Sequence, residues 1–304
     1  MKWLVIGAFL FSALYVHLRG RVRLPLVRQL IDHSSFMAPI NVFMYLCAKP
    51  PGTPFIPLQE VPELAPLRQH WQAIRAEAEH LRAFGHAHAV PEGEEGGRDA
   101  PLRRGWQDIH LKWYDTAPPL ARRLCPRTVA LLQAIPSVKV ASFVDLPPGA
   151  RLAPHRDPYA GFLRYHLGLA TPNHDDCFIE VDGQRHAWRD GEAMLFDETY
   201  IHWATNGAHD GQGDGRLILL CDIERPMRWR WAQAINHALG RMFTSATNPP
   251  GDRDEPTGKA PSGLQGLLRG FGHYRRRFKS WNMTVYRVTL AGSMLGIVAL
   301  LFML

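Results

Sequence analysis

Two histidines and an aspartate are the residues of this chain best spaced to do chemistry. His155 and Asp157 lie two apart within PPGARLAPHRDPYAGFLRYHLGL, residues 147–169. In an extended chain, residues i and i+2 point to the same face, so an imidazole and a carboxylate can meet at one metal ion. The third ligand must come from elsewhere. His202, which closes FDETYIH after an apolar run and an acidic turn, is the best candidate. Two imidazoles and one carboxylate on one face make the donor set of a non-haem ferrous centre, with three positions open for co-substrate and dioxygen. The same ligands would also suit a hydrolytic zinc ion. In a chain with 15 histidines an HxD pair also arises by chance, as satisfied structural histidines.

Two arginines bear on the choice. A 2-oxoglutarate co-substrate chelates iron through its 2-oxo acid end, and its far carboxylate then needs a fixed cation. A guanidinium offers a planar, two-pronged donor for that task. Arg216 opens RLILLCDI, fourteen residues after His202. Arg164 and His166 alternate on one face of residues 163–170, while Leu163, Tyr165, Leu167 and Leu169 take the other. The alternative is that Arg164 faces solvent. A zinc hydrolase would leave Arg164 and Arg216 without an evident task.

These residues need a scaffold of short strands, and the sequence offers one. From Trp106 to about Ile223, apolar runs at 138–144, 163–170, 178–181, 193–196 and 217–223 alternate with turn signals. The turns include Pro147-Pro148-Gly149, Thr171-Pro172-Asn173, Asp182-Gly183, Asp190-Gly191 and Asp214-Gly215. Strands at this spacing predict a sandwich or jelly roll. Ahead of them, Leu64, Leu67, Trp71, Ile74 and Leu81 repeat near the helical period, and residues 91–100 read as a polar loop. Residues 38–47 read as an interfacial, re-entrant or core helix. Residues 228–243 predict a basic amphipathic helix, and residues 244–262 a flexible linker.

The two ends differ from the middle. Residues 3–18 (WLVIGAFLFSALYVHL) are apolar apart from His17 and are followed by Arg19, Arg21 and Arg23. A cleaved signal peptide would carry its charge before the apolar run, so an uncleaved anchor with a cytoplasmic C-terminal flank is expected. Residues 288–304 carry no charge and follow Arg275, Arg276, Arg277, Lys279 and Arg287. They read as a second membrane anchor or a buried C-terminal helix. The net charge of +7 then suits an anionic bilayer surface, and no nucleic-acid-binding motif of the usual kinds is present. Cys47, Cys125, Cys177 and Cys221 form no CxxC pair and read as reduced thiols.

Taken together, HRDPYAGFLRYHLGL, GEAMLFDETYIHWATN and GRLILLCDIERP resemble the aspartyl/asparaginyl β-hydroxylase family of 2-oxoglutarate oxygenases. With YVHLRGRVR, DHSSFMAPINVFMYL and the apolar ends, the chain is most similar to the bacterial lipid A acyl-chain 2-hydroxylases within that family. The catalytic resemblance covers about 110–228, and the membrane-type resemblance most of the chain except 244–262. It implies a mainly β chain: a double-stranded β-helix (jelly roll) core with flanking helices and an apolar transmembrane helix at each end. The segments expected are an N-terminal anchor at 1–23, a helical or interfacial region at 24–105, an oxygenase domain at 106–228, a basic helix and linker at 229–287, and a C-terminal anchor at 288–304.

The resemblance also implies roles. His155 and His202 become Fe(II) ligands, and Asp157 completes the triad where animal members of the family keep only the histidines. Arg164, His166 and Arg216 become 2-oxoglutarate contacts. Trp113 matches a further position lining that co-substrate, or packs in the core. The implied reaction uses dioxygen and hydroxylates C2 of a fatty acyl chain on lipid A, at the cytoplasmic face of the bacterial inner membrane. Hydroxylation of aspartyl or asparaginyl side chains of a protein substrate is the alternative. A non-catalytic membrane scaffold is the reading from another class.

Overall fold

A computed structural model describes residues 2–30, 32–83, 107–207 and 215–245. The expected polar loop at 91–100, most of the loop before Arg216, the linker beyond Ser245 and the apolar run at 288–304 lie outside those residues.

Among the described residues, the middle of the chain folds as nine antiparallel strands: β1 (Gln107–Trp113), β2 (Val138–Leu146), β3 (Arg151–His155), β4 (Phe162–Ala170), β5 (Cys177–Val181), β6 (Gln184–Ala187), β7 (Ala193–Phe196), β8 (His202–Asn206) and β9 (Arg216–Glu224). They form a five-stranded sheet, β1-β2-β9-β4-β7, and a four-stranded sheet, β3-β8-β5-β6. This is the expected jelly-roll arrangement. The β5–β6 hairpin turns on Asp182 and Gly183, both at positive φ (51° and 80°). That is the backbone of the two-residue turn which an Asp-Gly pair favours.

Side-chain alternation gives the larger sheet two faces. Leu163, Tyr165, Leu167 and Leu169 of β4 join Leu217, Leu219, Cys221 and Ile223 of β9 in an outer core. That core is covered by α5 (Ala65–Gln69), α6 (Trp71–Ala83), α7 (Pro119–Leu124) and α8 (Pro126–Gln133). The helical repeat of Leu64, Leu67, Trp71, Ile74 and Leu81 is thus carried by two helices broken at His70, with Leu64 just ahead of the first. The inner face of the same sheet meets the smaller sheet around Val144, Ile179, Trp188, Phe196 and Ile218. Arg164, His166 and Arg216 lie on this inner face.

The N-terminal helices close one flank. Lys2–Leu18 form α1, Leu26–Leu30 α2, His33–Phe36 α3 and Ala38–Cys47 α4, and Arg230–Ser245 form α9. Met44 and Cys47 of α4 pack with Tyr159, Phe162 and Ala232 in a third core. Residues 38–47 therefore form a helix seated on the domain. α1 buries only Ser12 and Val16, and no described helix is long and apolar enough to cross a membrane. The four cysteines are free and buried.

Candidate active site

His155 ends β3, His202 opens β8, and the two are register partners across the smaller sheet. Their rings lie 4.3 Å apart between centroids. Asp157 follows two residues later, its backbone N–H donating to Glu198 O at 2.9 Å. Among the described residues these three form the group of side chains placed to share a metal ion, with ligand atoms all within 4.8 Å of one another. Each histidine has its Nδ1 at its own i−2 carbonyl: His155 on Ala153 O (2.8 Å) and His202 on Tyr200 O (3.0 Å). That bond fixes the tautomer and turns Nε2 toward the shared space. Burial, then the neighbouring His155, pushes His202 down to about 4, so it is neutral and able to donate a lone pair at neutral pH.

Arg164 organises the carboxylates. It meets Asp157 Oδ2 at 2.9 Å, Glu198 Oε2 at 2.6 Å and Asp222 Oδ1 at 3.0 Å. Asp222 is its register partner on β9. Burial would raise the Asp157 carboxyl, but Arg164 and then the two histidines outweigh it and hold the group well below the usual carboxylate range. Glu198 moves the opposite way. Burial and the charges of Asp157 and Asp222 outweigh Arg164 and lift it well above its ordinary value.

A lane of rings runs inward from the triad. Phe196 stands edge-on to His202 (5.6 Å) and to His166 (5.1 Å); His166 tilts against Trp188 (6.0 Å). The Arg216 guanidinium lies over the Trp188 ring at 4.1 Å. Arg216 is 1% exposed, and burial draws it down to about 10, so it stays a cation at neutral pH. Burial, then Arg216, lowers His166 well below its usual value, leaving it neutral. Both ring nitrogens of His166 and Nε1 of Trp188 are buried without a hydrogen-bond partner among the described residues. Buried polar atoms of folded proteins are nearly always satisfied. Orphaned donors beside a buried cation therefore fit a small carboxylate ligand.

The structure thus brings His155, Asp157 and His202 together and lines His166 and Arg216 behind them. It does not leave Arg164 open to a co-substrate, because three carboxylates surround its guanidinium. The solvent-facing alternative fails for the same reason. Trp113 is half-buried with its ring edge-on to His110, outside the three apolar cores. It pairs with Val140, Val140 with Asp222, and Asp222 with Arg164. Three strand steps, about 14 Å, separate it from Arg164. Trp188, Glu198 and Asp222 are the site residues that sequence reasoning missed. The acidic turn containing Glu198 was visible in the sequence, but nothing local marked Trp188 or Asp222.

A model of the family described as aspartyl/asparaginyl beta-hydroxylase matches residues 68–226. An ornithine lipid ester-linked acyl 2-hydroxylase of Rhizobium tropici is 32% identical over 182 residues, which is 59% of this chain and 62% of that protein. The human aspartate beta-hydroxylase domain-containing protein 2 is 30% identical over 186 residues, 58% of this chain and 47% of that protein. The chain therefore spans less than two thirds of the length of these relatives. Among solved structures, a Pseudomonas putida prolyl-4-hydroxylase overlaps 52% of this chain and 88% of its own, with 18% identity and a TM-score of 0.34. HygX from Streptomyces hygroscopicus, solved with nickel and 2-oxoglutarate bound, overlaps 51% and 82%, with 13% identity and a TM-score of 0.33.

Proposed function

We propose, because the chain belongs to the aspartyl/asparaginyl β-hydroxylase family, that it hydroxylates C2 of a fatty acyl chain on a membrane lipid, with Fe(II) and 2-oxoglutarate. The observation that carries the reading is a His-Asp-His triad continuous with a buried lane that ends on a guanidinium. His155, Asp157 and His202 would hold the metal. Arg216 would take the distal carboxylate of 2-oxoglutarate, with His166 and the Trp188 N–H as neutral donors beside it. Ferrous iron and the keto acid, when bound, supply the oxygen-activating chemistry of the reaction.

The protein's own residues do the rest. Arg164 fixes the rotamer of Asp157 and offsets the surplus of carboxylate charge around it. The two Nδ1 bonds hold both imidazoles in the ligating tautomer. Phe196 and Trp188 keep the lane dry, which strengthens the attraction between Arg216 and an anionic co-substrate.

The substrate reading rests on the N-terminal flank. α1 exposes Trp3, Leu4, Leu10, Phe11 and Leu14, nearby helices expose Phe36, Leu46 and Trp231, and Trp229 is exposed just before α9. Trp231 packs on Phe43, tying the start of α9 to α4. Arg21, Arg23, Arg28, Arg228 and Arg230 are exposed around these helices. Interfacial tryptophans with basic neighbours suit an anionic bilayer surface. We place α1 in or on the inner membrane with the catalytic domain on the cytoplasmic side. A phosphorylated glycolipid such as lipid A matches the arginine-rich flank. The relative acting on ornithine lipid favours a second acceptor of the same chemistry.

The test is mass spectrometry of lipid A and of ornithine lipids from cells with and without the gene, alongside succinate production by the purified protein given Fe(II), 2-oxoglutarate, dioxygen and lipid. One added oxygen on one acyl chain of either lipid supports the reading, and the pool that changes identifies the acceptor. Succinate production with no change in any lipid would move the substrate to protein side chains. No succinate under any condition would end the oxygenase reading.

A further inference from the structure

The exit of α1 is pinned to the turn between β7 and β8, just ahead of His202. The Arg19 N–H still donates to Tyr15 O at 2.8 Å, continuing the helix. Its side chain, 8% exposed, donates Nη2 to Asp197 Oδ2 at 2.6 Å and Nη1 to Thr199 Oγ1 at 2.9 Å. The guanidinium is sandwiched between Tyr45 and Tyr200, 3.9 and 4.0 Å from the ring centroids. Asp197 is fully buried and takes a second arginine, Arg225, at 2.8 Å. The chain just after Arg19 is fastened as well: the N–H groups of Arg21 and Val22 donate to Asp182 Oδ1 at 2.7 and 2.8 Å. Gly20, between Arg19 and Arg21, has φ +95°, and a Cβ there would sit 2.7 Å from Asp182 Oδ1 and 3.0 Å from the Tyr200 ring. Only glycine fits that bend.

The segment gripped from this side, residues 197–200, orients the triad from its other side. Alternation sends Asp197 and Thr199 toward α1 and Glu198 toward Arg164. The Glu198 carbonyl accepts the Asp157 N–H, and the Tyr200 carbonyl faces His202 Nδ1. Both carbonyls therefore depend on where the 197–200 backbone is held. Tyr45 of α4 completes the grip through its hydroxyl, donated to Thr199 Oγ1 at 2.8 Å.

We propose that Arg19 is a positioning residue for the metal centre: the exit of α1 locks the 197–200 loop from behind and so sets Asp157 and His202 in ligating geometry. α1 is then part of the scaffold of the site as well as a membrane element, and its docking and the integrity of the triad are one equilibrium. The inference rests on the triad binding a metal. It differs from plain fastening of a helix, which would change stability and leave metal affinity alone.

The experiment uses the full chain in lipid nanodiscs, with Co(II) as the probe followed by its visible absorption, and thermal unfolding measured in parallel. Arg19→Lys keeps the charge but loses the planar fork. Tyr45→Phe removes only the hydroxyl bond to Thr199. Glu77→Ala is the remote control, since it breaks the bonds from Arg127 N, Thr128 N and Thr128 Oγ1 that join α6 to α8. Loss of an outer partner of a metal ligand typically weakens metal binding about 10–100-fold. We expect Co(II) affinity to fall at least about tenfold in Arg19→Lys, with an altered absorption band, and less in Tyr45→Phe. Glu77→Ala should lower the unfolding temperature and leave Co(II) affinity unchanged. A folded Arg19→Lys that binds Co(II) like the wild type overturns the clamp alone. A wild type that takes up no Co(II), or takes it up equally as His202→Ala, overturns the triad and the clamp with it.

Discussion

Replacing Trp188 by phenylalanine tests the inner half of the site with the least disturbance to packing. Trp188 is 1% exposed, its Nε1 has no partner among the described residues, and its ring supports Arg216 at 4.1 Å. Phenylalanine keeps an aromatic face under the guanidinium and deletes the N–H. If that N–H donates to the distal carboxylate of 2-oxoglutarate, the substitution removes one charge-assisted hydrogen bond, about 1.5–3 kcal/mol. At 1.4 kcal/mol per tenfold, the dissociation constant should rise about 10–100-fold. The thinner ring weakens the contact to Arg216 by a fraction of its roughly 0.5–2 kcal/mol, in the same direction. The assay is anaerobic calorimetric titration of the Co(II)-loaded protein with 2-oxoglutarate and, separately, with succinate. Succinate lacks the keto acid chelate but keeps a distal carboxylate, so both ligands should lose a similar factor. Co(II) affinity itself should not move. Unchanged 2-oxoglutarate affinity, or a loss confined to the metal, refutes the assignment of this lane to the co-substrate.

Three further outcomes are expected. Asp197→Asn leaves Arg19 and Arg225 buried around a neutral amide, a disruption of the order of 3–5 kcal/mol, which for a chain of this size lowers the unfolding temperature by roughly 6–20 °C. Burial opposes ionisation of Asp197, but the two arginines outweigh it and hold its carboxyl well below the usual range. Its contribution is therefore present above about pH 4 and lost as pH falls, so the gap between wild type and variant should close in acid. Trp229→Ala with Trp231→Ala should cut binding of the chain to anionic vesicles several-fold and abolish quenching of tryptophan fluorescence by brominated lipid at these positions; unchanged partitioning would remove α9 from the membrane face. Gly168→Ala should reduce soluble yield and lower the unfolding temperature, because its Cβ would lie 2.1 Å from the Arg189 carbonyl oxygen; a normal melt would contradict that packing.

The strands that the sequence announced are those with one strongly apolar face. Residues 163–170 and 217–223 read clearly because Leu163, Tyr165, Leu167 and Leu169, and Leu217, Leu219, Cys221 and Ile223, all face one core. β3 and β6 did not read as strands, because RLAPH and QRHA are half-exposed and polar. The triad was legible because its ligands sit two apart or at a strand end, which is local information. The helices α7 and α8 were hidden by Pro119 and Pro126, which sit at helix starts where proline is tolerated. The task of Arg164 was not legible. Its partners come from Asp222 and Glu198, and only the pairing of β4 with β9 and the turn before β8 brings them near. Trp188 was hidden for a similar reason: its orphaned N–H is a property of the side chains packed around it. The N-terminal segment read as apolar and basic, which is correct, but the burial of Arg19 depends also on Asp197 and Thr199, about 180 residues away.

The two faces of β4 also have a consequence for how this protein becomes active. Arg164, His166 and Gly168 alternate with Leu163, Tyr165 and Leu167, and β9 answers with Asp222, Leu220 and Ile218 on the same inner side. A slip of one residue between these strands would turn guanidinium and imidazole into the oily layer under the helices and turn leucines toward the metal. The cost of burying those polar groups in oil makes the slipped pairing unfavourable long before any ligand is present. Greasy residues that never touch substrate thus act as the alignment gauge for the polar ones that would, and folding errors here should yield misassembled chains more often than well-packed but inert ones.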